Sequence, residues 1–326
     1  MNPAELATVA PDARFVAVAR AAGTPHVVVD GPGLDGTVLA LSHWPSADPP
    51  PALAADTSAG IVDRYLDAGA QGPEVDAITN NHFDEDGLFA AWLLMERPPR
   101  GAPARAMALA AAEAGDFGTW TDPWAPRCAL AAMAMAERAT TPFPAVQAAL
   151  APHAADDPAA AIYRALLPHT GRLLDDPDRH RRLWEPAWQR VEEDVRLLDS
   201  GEVRIEEMPE LDLAIVRSPR PVRGMALHPR VDAMRVLWAG EQGHLVLTDR
   251  YETWVRYASR ELRARVDLTP ALAVLQAAEA REGTWRFEGV AAPTPRLFLA
   301  GPRGTPARSG LGAERLVELL TPLLST

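Results

Sequence analysis

Three residues that can bind a metal ion alternate along one short stretch, NNHFDEDG at residues 80–87. His82, Asp84 and Asp86 are separated by single residues, and they stand between an apolar run typical of a strand and one typical of a helix. One imidazole and two carboxylates form a mixed nitrogen and oxygen set that suits Mn²⁺, Mg²⁺ or Zn²⁺. Carboxylates that bridge two ions would also suit a two-metal site. The stretch predicts a metal site whose three ligands are also the catalytic residues.

Other interpretations of this stretch stay open. Asp84 or Asp86 could be the N-cap of the following helix, and DEDG could be a solvated turn. The three side chains would share one side of an extended strand, and they would also converge on a loop above the carboxyl edge of a sheet. An EF-hand is excluded, because no acidic residue stands at the twelfth position counted from His82 or from either aspartate.

The elements around the stretch predict an open α/β sheet. Apolar runs bounded by Gly and Pro at residues 26–31, 37–43 and 75–79 predict strands, and periodic runs at 56–69 and 87–96 predict helices. Strands and helices that alternate in this way are typical of a parallel sheet. Such sheets bind ligands at the carboxyl ends of their strands, where the metal-binding stretch is expected to lie.

The remaining sequence predicts a helical connection and a second domain. Residues 104–200 have helical patterns almost throughout, and the composition changes at Gly201 to alternating runs typical of strands. We therefore predict an α/β domain with a parallel sheet at residues 1–200. A smaller α+β domain, which would bind or cover the substrate, is predicted at residues 201–326.

Composition and charge exclude several classes of function. The formal net charge is −12, which disfavours long duplex nucleic acid and anionic membranes as partners. All 32 basic residues are Arg, so Schiff-base, pyridoxal and P-loop lysines are excluded. The single Cys128 excludes a disulfide framework. We expect a cytoplasmic protein, because the sequence shows neither a secretory signal nor a long apolar span.

The run NHFDEDGLFAAWLL resembles the first signature of the DHH phosphoesterase superfamily, His-x-Asp-x-Asp-Gly, and it is also similar to an H-x-D-E run in MYG-type exonucleases. His82, Asp84, Asp86 and Gly87 match the DHH signature residue by residue. The resemblance implies a centre for two Mn²⁺ or Mg²⁺ ions. Asp116 in EAGDFGTW resembles the second signature and is implied as a further ligand. Over nearly its full length the chain also resembles a bacterial family of unknown function.

The third DHH signature, Asp-His-His, does not occur in this sequence. His43 could supply a nitrogen ligand instead, if the predicted strand that it ends is a neighbour of the strand at 75–79; it could equally be a loop histidine beside Trp44. Asp30 ends another predicted strand, although an Asp-Gly pair is also a common turn signal.

Cations and aromatic residues in the second half of the chain are candidates for substrate binding. Arginine forks beside aromatic rings could bind a phosphate and stack a base, although such rings are also common in a core with arginines on the solvent side. His228 could supply a ligand or a proton. The candidate residues are Arg250, Arg256, Arg260 and His228, with Tyr251, Trp254 and Tyr257 as the aromatic neighbours.

These observations predict a Mn²⁺- or Mg²⁺-dependent phosphoesterase that acts on a small phosphorylated molecule or a short oligonucleotide. An activated water would attack phosphorus in line, while metal ions and arginines would stabilise the developing charge. Two alternatives stay open: a metal-dependent enzyme of other chemistry on the same scaffold, and a non-catalytic relic that binds a nucleotide or a partner.

Overall fold

The computed structural model describes residues 5–152, 154 and 157–325. The chain divides into two compact units. The first comprises Met1–Arg190 and Val255–Arg260, and the second comprises Val191–Trp254 and Glu261–Thr326. The division falls after Arg190, inside a helix, whereas the sequence analysis placed the boundary near residue 200. The short segment Val255–Arg260 belongs to the first unit although it is flanked in sequence by the second.

A four-stranded parallel sheet forms the centre of the first unit. Its strands are β1 (Thr8–Phe15), β2 (His26–Val29), β3 (Thr37–Leu41) and β4 (Glu74–Thr79). Their order is β1-β4-β2-β3, and all three pairings are parallel. Strand β2 lies between β4 and β3 and is buried along its whole length. After His26 its three valines are continuously apolar rather than alternating, as in other interior strands of parallel sheets.

Strand β1 has no counterpart among the predicted strands. Its sequence TVAPDARF contains Pro11 and lacks the alternation that marks a strand. In the structure it pairs with β4 at the edge of the sheet, and its register shifts between Val9 and Arg14. Proline cannot donate a hydrogen bond to a neighbouring strand, so an irregular edge strand is where a sheet tolerates it.

Helices make up most of the rest of the first unit, with the last of them continuing into the second. They are α1 (Val18–Ala21), α2 (Ser58–Ala68), α3 (Glu85–Glu96), α4 (Pro103–Phe117), α5 (Ala125–Ala136), α6 (Pro144–Ala149), α7 (Pro158–Asp175) and α8 (Arg181–Asp199). Every residue from Asp86 to Leu94 in α3 is buried, and α3 packs against α2, α4 and α7. A helix that is apolar on all sides lies in the interior of a protein. The first turn of α3, which contains Asp86, lies at the carboxyl edge of the sheet.

The second unit is built on a six-stranded mixed sheet. Its strands are β5 (Arg204–Met208), β6 (Leu213–Ser218), β7 (Arg235–Gly240), β8 (Leu245–Asp249), β9 (Thr284–Phe287) and β10 (Arg296–Ala300). Their order is β5-β6-β7-β8-β10-β9, and every pairing is antiparallel except the one between β6 and β7. Its helices are α9 (Gly224–Leu227), α10 (Leu272–Ala278) and α11 (Ala313–Leu324). Leu316 and Leu320 of α11 and Leu275 of α10 lie in its main core.

The predicted α/β fold class is confirmed by the parallel sheet of the first unit and the mixed sheet of the second. The aromatic-rich run after β8 contains a 3-10 turn at Tyr251–Thr253. Among the residues that the structure describes, none of the helices combines the length and apolarity needed to cross a membrane.

Candidate metal centre

The carboxyl edge of the parallel sheet gathers the ends of three strands. Asp30 directly follows β2, His43 comes two residues after β3, and the stretch from Asn80 to Asp84 follows β4. Because β2 lies between the other two strands, Asp30 is at the middle of this edge. Its backbone has a φ of 48°, a left-handed conformation that aspartate tolerates better than most residues. Ser58 Oγ donates to Asp30 Oδ1 at 2.8 Å and holds the carboxylate.

The two oxygens of Asp30 face two different sets of ligand atoms. Oδ1 lies 3.4 Å from His43 Nε2, and Oδ2 lies 3.4 Å from His82 Nε2. Asp30, His43 and Asp86 form one group whose ligand atoms all lie within 4.8 Å of one another, and Asp30, His82 and Asp84 form another. We name the first group, together with Asp116, the buried subsite, and the second the open subsite. Asp30 is the carboxylate that they share.

The buried subsite is closed to solvent. His43 Nε2 lies 3.7 Å from Asp86 Oδ2 and 3.5 Å from Asp116 Oδ2, and the most exposed of these side chains, Asp116, is 6% accessible. His43 Nδ1 donates to the backbone oxygen of Asp56 at 2.6 Å. A carbonyl oxygen can only accept, so the proton is on Nδ1 and Nε2 is the nitrogen that faces the carboxylates.

The first turn of α2 orients Asp86. The backbone amide of Ser58 donates to Asp86 Oδ2 at 2.6 Å, and the amide of Ala59 donates to Asp86 Oδ1 at 2.8 Å. These amides are at the positive end of the helix dipole and have no partner within the helix, so a carboxylate is favourable there. Asp86 is thus fixed by α2 while its own backbone belongs to α3.

Two glycines allow the close packing that brings the ligands together. A Cβ on Gly115 would lie 2.7 Å from Glu85 Cβ, so only glycine lets the last turn of α4, which carries Asp116, approach the start of α3. A Cβ on Gly87 would lie 2.2 Å from Tyr163 Oη. That hydroxyl accepts from Asn80 Nδ2 at 2.9 Å, so Gly87 makes room for the contact that holds the end of β4.

The open subsite is partly accessible. His82 Nε2 lies 2.7 Å from Asp84 Oδ2, and the two side chains are 28% and 23% exposed. Asp84 Oδ1 accepts from the backbone amide of Gly87 at 2.8 Å, so Asp84 is the N-cap of α3. The N-cap interpretation of the sequence and the ligand interpretation are compatible, because the cap uses one carboxylate oxygen and leaves the other facing His82.

Negative charge is concentrated at this edge. Burial raises the pKa of Asp86, Asp84 and, most strongly, Asp116, whose pKa is raised further by the neighbouring carboxylates. Burial and then Asp84 raise the pKa of Glu85 to about 8. Burial alone would lower the pKa of His43, but Asp30 and Asp86 raise it to about 9. Raised pKa values of buried carboxyl groups, together with the raised pKa of a buried histidine, indicate a site short of positive charge.

The structure brings the predicted ligands to one place and adds another. The predicted ligands at this edge are His43, His82, Asp84, Asp86 and Asp116. Asp30, which the sequence offered either as a further candidate at a strand end or as part of an Asp-Gly turn, lies between them. Its position after the three valines of β2 marks a strand end, but the local sequence does not show that β2 lies between β4 and β3.

The predicted substrate-binding residues lie in both units. Arg250 is buried in the second unit, where it pairs with Glu252 and donates to the backbone oxygen of Val231 at 3.0 Å. Its guanidinium therefore supports the fold rather than offering a free phosphate-binding group. His228 is half-buried in a 3-10 turn of the same unit. Arg256 and Arg260 are exposed and belong to the first unit, together with the metal-binding edge.

Comparison with known proteins yields a family but no activity. No curated protein and no solved structure is significantly similar to the chain. A family model described as a family of unknown function, DUF6687, matches residues 11–309, a range that includes all six residues of the two subsites. The chain therefore belongs to the DUF6687 family.

Proposed function

We propose that the protein is a divalent-metal-dependent phosphoesterase that holds two ions, Mn²⁺ or Mg²⁺, at the carboxyl edge of its parallel sheet. The observation that carries the proposal is the geometry of Asp30, whose two oxygens face separate sets of histidine and aspartate ligands. A carboxylate shared between two ligand sets can hold two metal ions close together, as two-metal catalysis needs.

The candidate ligands fit divalent ions in two respects: their chemical type, and the buried carboxylate oxygens among them that lack a hydrogen-bond donor. Asp30 Oδ2 and Asp116 Oδ2 are buried and accept no hydrogen bond from the described residues. A buried oxygen without a donor is costly, and a cation satisfies it as well as a hydrogen bond does. Carboxylate oxygens with one imidazole for each ion are ligands that Mn²⁺ accepts readily and Mg²⁺ accepts when oxygen predominates.

The roles of the residues follow from this assignment. His43, Asp86 and Asp116 would hold one ion with Asp30 Oδ1, and His82 and Asp84 would hold the other with Asp30 Oδ2. Two bound divalent ions supply Lewis-acid stabilisation of phosphoryl oxygens and lower the pKa of water. Asp30 sets the distance between the ligand sets, and the amides of α2 keep Asp86 in place. Substrate would approach the open subsite, because only that side is exposed.

The substrate class follows from charge. A net charge of −12 disfavours long polyanions, so we propose a small phosphorylated molecule or a short oligonucleotide rather than duplex nucleic acid. The resemblance of the residues from His82 to Gly87 to the DHH phosphoesterase signature supports the same class of reaction. A cytoplasmic location, as expected from the sequence, is part of the proposal.

Metal binding and turnover test the proposal together. The protein is stripped with a chelator, titrated with Mn²⁺ by calorimetry, and assayed on bis(p-nitrophenyl) phosphate and on a dinucleotide. We expect two ions per chain and Mn²⁺-dependent hydrolysis that is lost in Asp86→Asn. Asp76→Asn, an exposed aspartate on the same strand β4 that leads to the site, is the matched control and keeps both properties. Two bound ions without phosphoester turnover would reject the phosphoesterase and retain the metal centre.

A further inference from the structure

The segment Val255–Arg260 is bound to the first unit through its backbone. The amide of Arg256 donates to the backbone oxygen of His43 at 2.7 Å. The amides of Ala258 and Ser259 both donate to Asp56 Oδ1, each at 2.7 Å. Two consecutive amides on one carboxylate oxygen form a charge-assisted contact, which is stronger than the same contact to a neutral acceptor.

The residues that hold this segment also hold the buried subsite. Asp56 accepts from His43 Nδ1 with its backbone oxygen and from the segment with its carboxylate. His43 is a proposed metal ligand through its ring and binds the segment through its own backbone oxygen. The segment therefore contacts both the ligand and the residue that orients the ligand.

An aromatic contact joins the segment to the same subsite from another side. The Tyr257 ring packs edge to face against Phe117, with ring centroids 5.5 Å apart. Phe117 directly follows the proposed ligand Asp116, and its ring centroid is 6.3 Å from that of His43. The contacts of this six-residue segment with His43, Asp56 and Phe117 thus converge on two ligands of the buried subsite, His43 and Asp116.

We infer that Asp56 is a positioning residue that couples the segment Val255–Arg260 to the metal affinity of the buried subsite, an inference that rests on the proposed metal centre. The carboxylate of Asp56 fixes the segment, the segment fixes the backbone of His43, and the carbonyl of Asp56 fixes the ring. Loss of this carboxylate leaves the His43 ring bonded to the Asp56 carbonyl, but it releases the segment that holds the backbone oxygen of His43 and so loosens the position of Nε2 relative to Asp86 and Asp116. The open subsite, whose histidine comes from the loop after β4, has no such dependence.

The hydrogen bonds to the Asp56 carboxylate come from exposed residues, so they are not needed to satisfy buried backbone amides. Ala258 and Ser259 are exposed, so water would replace the lost acceptor if the carboxylate were removed. A residue that only supported the fold would change the stability of the protein without distinguishing between two metal subsites. A difference between the subsites is therefore the property to measure.

The test compares Asp56→Asn and Asp56→Ala with the parent protein by calorimetric titration of the chelator-treated chain with Mn²⁺. We expect binding at one subsite to weaken by about 10- to 100-fold in Asp56→Ala, the range found for residues that orient metal ligands. Asp56→Asn, which keeps a neutral acceptor, should fall between Asp56→Ala and the parent. His43→Gln and His82→Gln identify which binding step belongs to which subsite.

Hydrogen exchange supplies an independent readout. The amides of Ala258 and Ser259 should exchange faster in Asp56→Ala, with or without Mn²⁺, because they lose their acceptor. Asp48→Asn is the matched control: it lies on the same loop, is fully exposed and comes within 4.0 Å of Arg256. It should alter neither metal-binding step nor the exchange of the two amides.

The outcomes separate this inference from the proposed function. A parent protein that binds no Mn²⁺ rejects the metal centre and the inference with it. A parent that binds two ions, with an Asp56→Ala variant that matches it at both subsites, overturns the inference alone. Equal weakening at both subsites also overturns it, because it indicates a general effect on the fold. If Asp56→Ala fails to fold, Asp56→Asn decides between the same results.

Discussion

Buried aspartates have different charge partners in the two units. In the second unit the side chain of Asp194 is fully buried and forms ion pairs with Arg220 and Arg223. It also accepts from the backbone amide of Arg223 at 2.9 Å. Burial opposes ionisation, but this amide and the two guanidinium groups together lower the pKa of Asp194. Its negative charge is compensated within the chain.

Among the described residues of the first unit, Asp86 and Asp116 have no arginine partner, although two backbone amides of α2 donate to Asp86. The Asp86 side chain is as deeply buried and that of Asp116 is 6% exposed, yet burial raises the pKa of both, and their ion-pair partner in the described part of the chain is His43. The chain contains 32 arginines and places two of them against Asp194. A buried acidic cluster paired with a histidine is the arrangement expected where another cation completes the charge.

The largest expected effect is on metal binding when the shared carboxylate is removed. In Asp30→Asn both Mn²⁺-binding steps should weaken, each by more than the roughly 100-fold upper range of residues that only orient ligands. Asp194→Asn, which removes an equally buried carboxylate from the second unit, should change neither step. Calorimetric titration of the chelator-treated proteins measures both. If only one step weakens in Asp30→Asn, Asp30 does not bridge the subsites.

Without metal, replacing a buried aspartate by Asn should raise the free energy of unfolding in the first unit and lower it in the second. Asp116→Asn removes a poorly compensated acid and should raise the free energy of unfolding by about 1–3 kcal/mol, the usual cost of an unsatisfied buried polar group. Asp194→Asn removes a compensated one and should lower it by about 1 kcal/mol or more. Urea unfolding in the presence of a chelator measures both changes. With saturating Mn²⁺, Asp116→Asn should instead destabilise, because the lost ligand weakens metal binding.

The pH dependence should differ between metal-free and metal-bound protein. A group whose pKa is raised by folding holds its proton more tightly in the folded state, so its contribution to stability is lost as pH rises. For His43 that loss runs from the unfolded value of 6.5 to the folded value of about 9. For Glu85 it runs from 4.5 to about 8. Asp194 has a lowered pKa, so its contribution is present above its unfolded value and is lost only as pH falls through its folded value.

Melting temperatures between pH 6 and pH 9 test whether stability falls as pH rises. The chelator-treated protein should melt at progressively lower temperature as pH rises, because His43 and Glu85 both titrate in this window. Mn²⁺ should reduce or reverse the slope, since metal ligands must be deprotonated and binding strengthens with pH. A metal-free protein whose melting temperature rises over this range would show that the acidic cluster is already compensated.

The sequence predicted this site as far as local pattern allows. His82, Asp84 and Asp86 stand out because a strand, a three-ligand alternation and a helix follow one another within a single stretch. Asp30 does not, because an Asp-Gly pair is explained locally as a turn. Its role depends on β2 lying between β4 and β3, a property of strand order that no local pattern contains.

The features that sequence analysis missed are non-local in the same way. The segment Val255–Arg260 reaches the neighbours of His43 across more than 200 residues of sequence, as its hydrogen bonds to Asp56 show. Arg250 resembles a substrate-binding cation in sequence, and only the fold of the second unit shows that it is buried against Glu252. Local propensity predicts elements and their edges, whereas the partners of a charged side chain are set by tertiary packing.

The smallest expected effect concerns a single arginine beside Asp194. Arg223 is 44% exposed, and in Arg223→Gln both Arg220 and the backbone amide of residue 223 remain as partners of the carboxylate. The free energy of unfolding should therefore fall by about 1 kcal/mol or less, as for other partly exposed ion pairs. Arg230→Gln, at a more exposed ion pair with Asp199, is the control and should be nearly neutral. A loss in Arg223→Gln as large as that in Asp194→Asn would mean that one arginine alone compensates this aspartate.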